Sequence, residues 1–247
     1  MNTPLDVTQH GFALELTLNR PECRNALSRE LIRALGAALR HAADVPDVRC
    51  VILTGTPPAF CAGLDLREVV AGNTPVYDAT PLLELFEQID TLPKPVVAAV
   101  NGPAVAGGAG LLTACDLVIC GESARVGYPG IRQGLVAPLL VPYLVRVVGE
   151  RRARYLLLTG ELLTAAQAVA FGLANEVVSD HELLWRVRQI AAGLAEHPPE
   201  AVRRMKDVFQ VLRARGEGQR AASLRELLGT LVITERGRAD QAGAEGL

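Results

Sequence analysis

The sequence predicts an α/β fold in which strand–helix units come first and helices close the chain. Three observations carry that expectation. Short apolar runs of strand length recur at VRCVILTG (48–55), VVAAV (96–100) and LVICG (117–121), with helical spacing between them. Glycine and proline punctuate the joins. From about Ala137 onward the pattern is mostly helical.

The elements follow in order. Phe12, Leu14, Leu16 and Leu18 alternate, which reads as a half-buried strand broken at Asn19-Arg20-Pro21. Ser28 caps a helix with Leu31, Leu35 and Leu39 on one face, ending near His41. The run 48–55 is a buried strand closed by Gly55 and Pro57-Pro58. Leu82, Leu85, Phe86 and Ile89 give the next helix. The strand at 96–100 is followed by the small-residue segment NGPAVAGGAG, whose second half opens a helix running from Gly107 to Ala114. NEVV (175–178) reads as a short strand after a helix opened by Thr164 and stopped at Gly172. Further helices are expected at 180–196, 199–214 and 217–234, and the last residues, RGRADQAGAEGL, read as frayed.

Composition narrows the function. A chain of 247 residues that is 49% hydrophobic and 21% charged can build a sizeable core. A net charge of −2 speaks against a nucleic-acid partner, and the basic run RRAR (151–154) reads as a solvated helix face. Five cysteines show neither CxxC spacing nor a paired framework, which fits a reduced, cytoplasmic compartment. MNTPLDVTQHGF lacks the pattern of a signal peptide. The longest nearly charge-free stretch, 134–145, is too short to span a bilayer and holds Pro138 and Pro142. No membrane partner is expected, and no residues group into a metal site.

Two loops draw attention. AFCAGLDL (59–66) follows the second strand, and small residues at Ala62 and Gly63 leave the Leu64 amide open to a ligand. In NGPAVAGGAG, Gly107 and Gly108 open a helix, so their amides are unpaired within it and sit at its positive end. The residues alone leave two readings open. The glycines serve close packing of helix on sheet, or the two amides converge on one oxygen as an oxyanion hole. A nicotinamide site is disfavoured, because GlyAlaGly at 108–110 lacks the third glycine; position 113 is Thr.

Four long segments stand out: LNRPECRNALS (18–28), VILTGTPPAFCAGLDL (51–66), KPVVAAVNGPAVAGGAGLLTACDLVI (94–119) and GERRARYLLLTGELLTAAQAVAFGLANEVV (149–178), with PPEAVRRMK (198–206) beyond. In this order they resemble the crotonase family, also called the enoyl-CoA hydratase/isomerase family. The resemblance implies a spiral of strand–strand–helix turns with a helical C-terminal region. The acyl-CoA-binding core is expected over 1–178, and an oligomerisation region building homotrimers or hexamers over 179–247. It also implies that the Leu64 and Gly107 amides bind the thioester carbonyl of an acyl-CoA. Arg24, Ala26, Ala62, Asp65, Leu66 and Arg67 fall where family members bind CoA, with Arg24 and Arg67 as phosphate partners. No cofactor is implied beyond the CoA thioester, which is the substrate.

The chain departs from the family where the chemistry lies. Hydratases of this family use two glutamates as general acid and base. At those positions stand Gly110 and, in VGYPGIRQG (126–134), Gly130. Glycine cannot move a proton, a task worth roughly 10²–10⁴-fold in rate. The nucleophilic Asp of the family's dehalogenases and the Tyr of its decarboxylases have no counterpart in VAPLLVPY (136–143). Glu68, Asp78, Glu84, Glu87, Tyr128 and Arg132 are candidate substitutes, each with a structural alternative. A glutamate restored at 110 is expected to suit a helix, whereas one at 130 is expected to meet a positive φ. The family's usual C-terminal ending is only partly present in LVITERGRADQAGAEGL. The reading is an enoyl-CoA hydratase/isomerase-like protein. A non-catalytic acyl-CoA binder or partner subunit, and a decarboxylase whose substrate supplies the departing carboxylate, stay open beside it.

Overall fold

The structure, a computed structural model, describes residues 3–71 and 78–214. Nine strands and nine helices are found among them. The expected helix at 217–234 and the expected frayed end lie outside the described residues.

The large sheet runs β1-β2-β3-β4-β6-β9, formed by Leu5–His10, Ala13–Leu18, Cys50–Gly55, Val96–Val100, Leu117–Gly121 and Glu176–Val178. Only β1 is antiparallel. Parallel strands need covering on both faces, and here both are covered. One face carries the main core. The other is closed by α8 (Leu183–Glu196), whose Leu183, Val187 and Ala191 pack on Ala13, Cys50, Ile52, Val97, Ala99 and Ile119. That explains why β3 and β4 are continuous apolar runs with every residue buried.

It also corrects the half-buried reading of β2. Leu14, Leu16 and Leu18 face the main core as expected, but Ala13 and Glu15 are buried beneath α8. Glu15 is accommodated there by a forked ion pair with Arg188. Phe12 lies outside the strand and is exposed.

The second sheet is small: β5 (Pro103–Val105), β7 (Arg125–Gly127) and β8 (Leu162–Thr164). Two isolated parallel pairings, Cys61 with Ala104 and Leu27 with Leu64, extend its line. A strand of the large sheet therefore hands the chain to this second layer, and a helix returns it, as in β4, β5 and α4 (Gly107–Ala114). This is the expected spiral.

The remaining helices frame that layer. They are α1 (Arg29–Asp44), capped by Ser28 as predicted but running past His41, α2 (Leu66–Ala71) and α3 (Thr80–Thr91). Next come α5 (Leu140–Val148), α6 (Glu150–Thr159), α7 (Ala165–Phe171) and α9 (Pro199–Ala214). Lys206 of α9 is buried and bonds the Asp116 carboxylate, which also accepts the Val96 amide, so the helical end of the chain is tied to the sheet. No helix among the described residues is long and apolar enough to cross a membrane.

Candidate active site

The register places the two predicted loops side by side. Cys61 pairs with Ala104, so Leu64 and Gly107 are each three residues further along neighbouring parallel segments. Space-filling agrees: a Cβ on Gly63 would stand 3.0 Å from the Gly107 amide, and one on Gly107 would stand 3.5 Å from the Leu64 amide. Neither amide has a hydrogen-bond acceptor among the described residues.

Each amide also follows a residue of positive φ, Gly63 at 86° and Ala106 at 49°. The turn swings the next N–H out of line with the strand it leaves. Glycine at 63 is required both for this φ and for the close approach of the Gly107 loop. Ala106 carries its φ with a side chain, a strain of about 1–3 kcal/mol of the kind that clusters at functional sites. Two unpaired amides this close together, one at the N-terminus of α4, are the donors that an oxyanion hole would require.

The loops are bound together by hydrogen bonds that the sequence did not reveal, centred on Asn25 and Arg20. Asn25 is fully buried, and its Nδ2 donates to the Thr56, Ala59 and Phe60 carbonyls while its Oδ1 accepts the Arg20 amide. The Ala62 amide donates to the Arg24 carbonyl, Leu27 to Gly63, and Asp65 back to Leu27. Arg20 completes the brace, donating to the Ala26 carbonyl and to Asp65. The signal for Asn25 was available: an asparagine tolerates the left-handed φ of 56° found there.

Arg24, Ala26, Ala62, Asp65, Leu66 and Arg67 lie along these braced segments, Ala26 and Asp65 buried and Arg24, Leu66 and Arg67 exposed at the rim. Arg24 is exposed at a left-handed φ. Arg67 is not an independent cation. Its Nε and Nη2 hold the buried Asp65 carboxylate, which Arg20 also contacts. These guanidiniums keep the Asp65 carboxyl well below the usual carboxylate range. Two guanidiniums against one carboxylate leave one net positive charge at the rim, exposed on the Arg67 side.

The two glycines expected at the positions of the family's glutamates are reversed in character from expectation. Gly110 sits in α4 with its Cβ direction filled: Phe86 Cζ would be 2.6 Å away and Leu140 Cδ2 2.7 Å. Gly130 does not have a positive φ, and a Cβ there would meet only Leu135 at 3.4 Å. Position 130 accepts a side chain as it stands; position 110 accepts one only if Phe86 and Leu140 shift.

Three of the six candidate substitutes have structural work. Glu68 accepts the Arg29 amide at the start of α1, and Asp78 accepts the Thr80 amide at the start of α3. Glu84 and Glu87 are exposed, on the side of α3 away from buried Leu82, Leu85, Phe86 and Ile89. Arg132 donates to the Thr159 carbonyl. Tyr128 differs, being buried with its hydroxyl unpaired.

Burial pushes the Cys50, Cys61 and Cys120 thiols up to about 12, so they are inert at neutral pH. Among the described residues no three His, Cys, Asp or Glu side chains group to hold a metal. An apolar groove of about 380 Å³ between β1 and α1 lies away from both amides.

The family model for enoyl-CoA hydratase/isomerase matches residues 9–233. This chain belongs to the enoyl-CoA hydratase/isomerase family. Its curated relatives include the Mycobacterium tuberculosis enoyl-CoA hydratase EchA19, 37% identical over 79% of this chain and 76% of that one. The Escherichia coli 2,3-dehydroadipyl-CoA hydratase is 35% identical over 94% and 91%. Among solved structures, an enoyl-CoA hydratase of Mycobacterium smegmatis superposes with a TM-score of 0.90 at 30% identity, covering 99% of this chain and 97% of that one. As a family member the chain has the crotonase fold that the sequence implied.

Proposed function

We propose that this crotonase-family protein binds an acyl-CoA thioester with the carbonyl oxygen between the Leu64 and Gly107 amides, and that the pair stabilises an enolate. The observation that carries the reading is the pair of unpaired amides brought together by the Cys61–Ala104 register. The rim of Arg24, Ala26, Ala62, Asp65, Leu66 and Arg67 holds the CoA moiety, with Arg24 and Arg67 toward its phosphates. The thioester is the substrate, and no further cofactor takes part. The assembly is a homotrimer or hexamer, supported by exposed apolar side chains at Val136, Val141, Leu158, Met205 and Phe209.

The filled space beside Gly110 favours readings in which the protein supplies no carboxylate there. The thioester is then held without turnover, or the substrate's own carboxylate departs as CO₂ and leaves its electron pair on Cα for the oxyanion hole to hold. Calorimetric titration with acetyl-CoA and with NAD tests the proposal. Micromolar to millimolar binding of the thioester alone is expected, and folded protein that ignores acetyl-CoA overturns it. Turnover assays on acyl-CoAs then separate an enzyme from a binder.

A further inference from the structure

Among the described residues one buried side-chain oxygen or nitrogen has no hydrogen-bond partner, and it is the hydroxyl of Tyr128. The other buried polar side chains near the loops are engaged: Asn25 with three carbonyls, Asp65 with two arginines, Thr113 with the Gly110 carbonyl. Buried polar groups are normally paired, so an exception calls for a physical reason.

Its place in the spiral supplies one. Val105 of β5 pairs with Gly127 of β7, so the next residues along the two strands are Ala106 and Tyr128. The Ala106 amide donates to the Gly127 carbonyl at 2.9 Å, which fixes this level, and Gly107 with its free amide comes next. Side chains alternate along a strand. A Cβ on Gly127 would run into the Glu161 carbonyl and Leu162, on the β8 side. Tyr128 therefore takes the opposite face, shared with Val126, and both are buried. Tyr128 thus follows β7 at the level where Ala106 and Gly107 follow β5, two residues before Gly130, with its ring in the main core.

We propose that the Tyr128 hydroxyl is a specificity-determining contact of the acyl pocket, pairing with an oxygen carried on the acyl chain of the bound thioester. The inference rests on the acyl-CoA reading above. The hydroxyl is suited to a neutral partner, because burial pushes its ionisation up and keeps it both donor and acceptor. An acyl chain without such an oxygen leaves the hydroxyl unpaired in the complex, and selection follows from that difference.

The test uses the full chain and its Tyr128→Phe variant, titrated calorimetrically with butyryl-CoA and 3-hydroxybutyryl-CoA. The wild type is expected to bind the hydroxylated thioester on the order of tenfold more tightly. The variant should bind butyryl-CoA as the wild type does and lose the preference. Its thermal midpoint should equal or exceed that of the wild type, since only an unpaired hydroxyl is removed. Equal wild-type affinities for the two thioesters, or a preference retained in Tyr128→Phe, overturn the assignment and leave the acyl-CoA reading standing. A midpoint lowered by several degrees overturns it too, by showing that the hydroxyl is structurally paired. Wild-type protein that binds neither thioester overturns both.

Discussion

Gly110→Ala adds one methyl group at a position where the resemblance leads us to expect a glutamate. The added Cβ would stand 2.6 Å from Phe86 Cζ, 2.9 Å from Phe86 Cε2 and 2.7 Å from Leu140 Cδ2. Carbon atoms rest at about 3.5–4.0 Å, so two side chains must each give way by roughly 1 Å. Both are buried, and Phe86 is also wedged edge-on against Tyr143. Overpacking of this kind costs about 1–3 kcal/mol, with the upper half fitting two contacts at once. Helix propensity returns up to about 1 kcal/mol on replacing glycine by alanine. The net loss is about 1–2 kcal/mol, or roughly 2–8 °C in thermal midpoint for a chain of this size. Gly130→Ala, with an ordinary φ and only Leu135 in contact, should stay within about 0.5 kcal/mol of wild type. Thermal unfolding followed by circular dichroism compares the two directly. A Phe86→Leu background should reduce the cost at 110, because the nearest clashing atoms are gone. Equal midpoints for Gly110→Ala and Gly130→Ala would refute the packing argument. Restoring hydration by Gly110→Glu with Gly130→Glu is accordingly expected to need a smaller residue at 86.

Two further outcomes follow from the loops. Gly63→Ala should lose about 1–3 kcal/mol of stability, since alanine is strained at a φ of 86°, and acetyl-CoA titration should show weakened binding because the methyl stands 3.0 Å from the Gly107 amide. Asp65→Asn should lose roughly 1.5–3 kcal/mol at neutral pH by leaving Arg20 and Arg67 without their carboxylate. The sign with pH is fixed by a carboxyl whose folded pKa is depressed: its stabilisation is present above the unfolded value of about 3.9 and is lost as pH falls below it. Acid titration of stability should therefore bring the wild type down toward the Asn variant; a constant gap from pH 6 to pH 2 would contradict it.

The parts of this molecule that were legible in the sequence are those whose burial writes a local pattern. Strands β3, β4 and β6 are covered on both faces and read as continuous apolar runs. Helices α1 and α3 show one buried face at helical spacing. Strands β5, β7 and β8 were not legible, because three residues hold no period and their partners are distant in sequence. β1 was missed for another reason: it is an edge strand with only Leu5 buried.

At the site, the amides of Leu64 and Gly107 were foreseen from small residues beside strand ends. The brace of Asn25, Arg20 and Asp65 was not, since it depends on which loops meet. The contrast between Gly110 and Gly130 was read the wrong way round. What a side chain would strike at 110 is set by Phe86 and Leu140, which reach it from two other helices.

The central claim is that the Leu64 and Gly107 amides together polarise a thioester carbonyl. Carbon-13 NMR of crotonyl-CoA labelled at the carbonyl, free and bound to wild type and Gly107→Pro, tests it most directly. Proline lacks the N–H, and the first turn of a helix tolerates it, with unfolding measured alongside to establish that the variant is folded. The account predicts a downfield shift on binding to the wild type and a smaller one in the variant. If any turnover is found, the lost donor should lower it by about 10²–10³-fold. A bound carbonyl with the same shift as free thioester, or an undiminished shift in Gly107→Pro, would place the acyl group elsewhere and contradict the account.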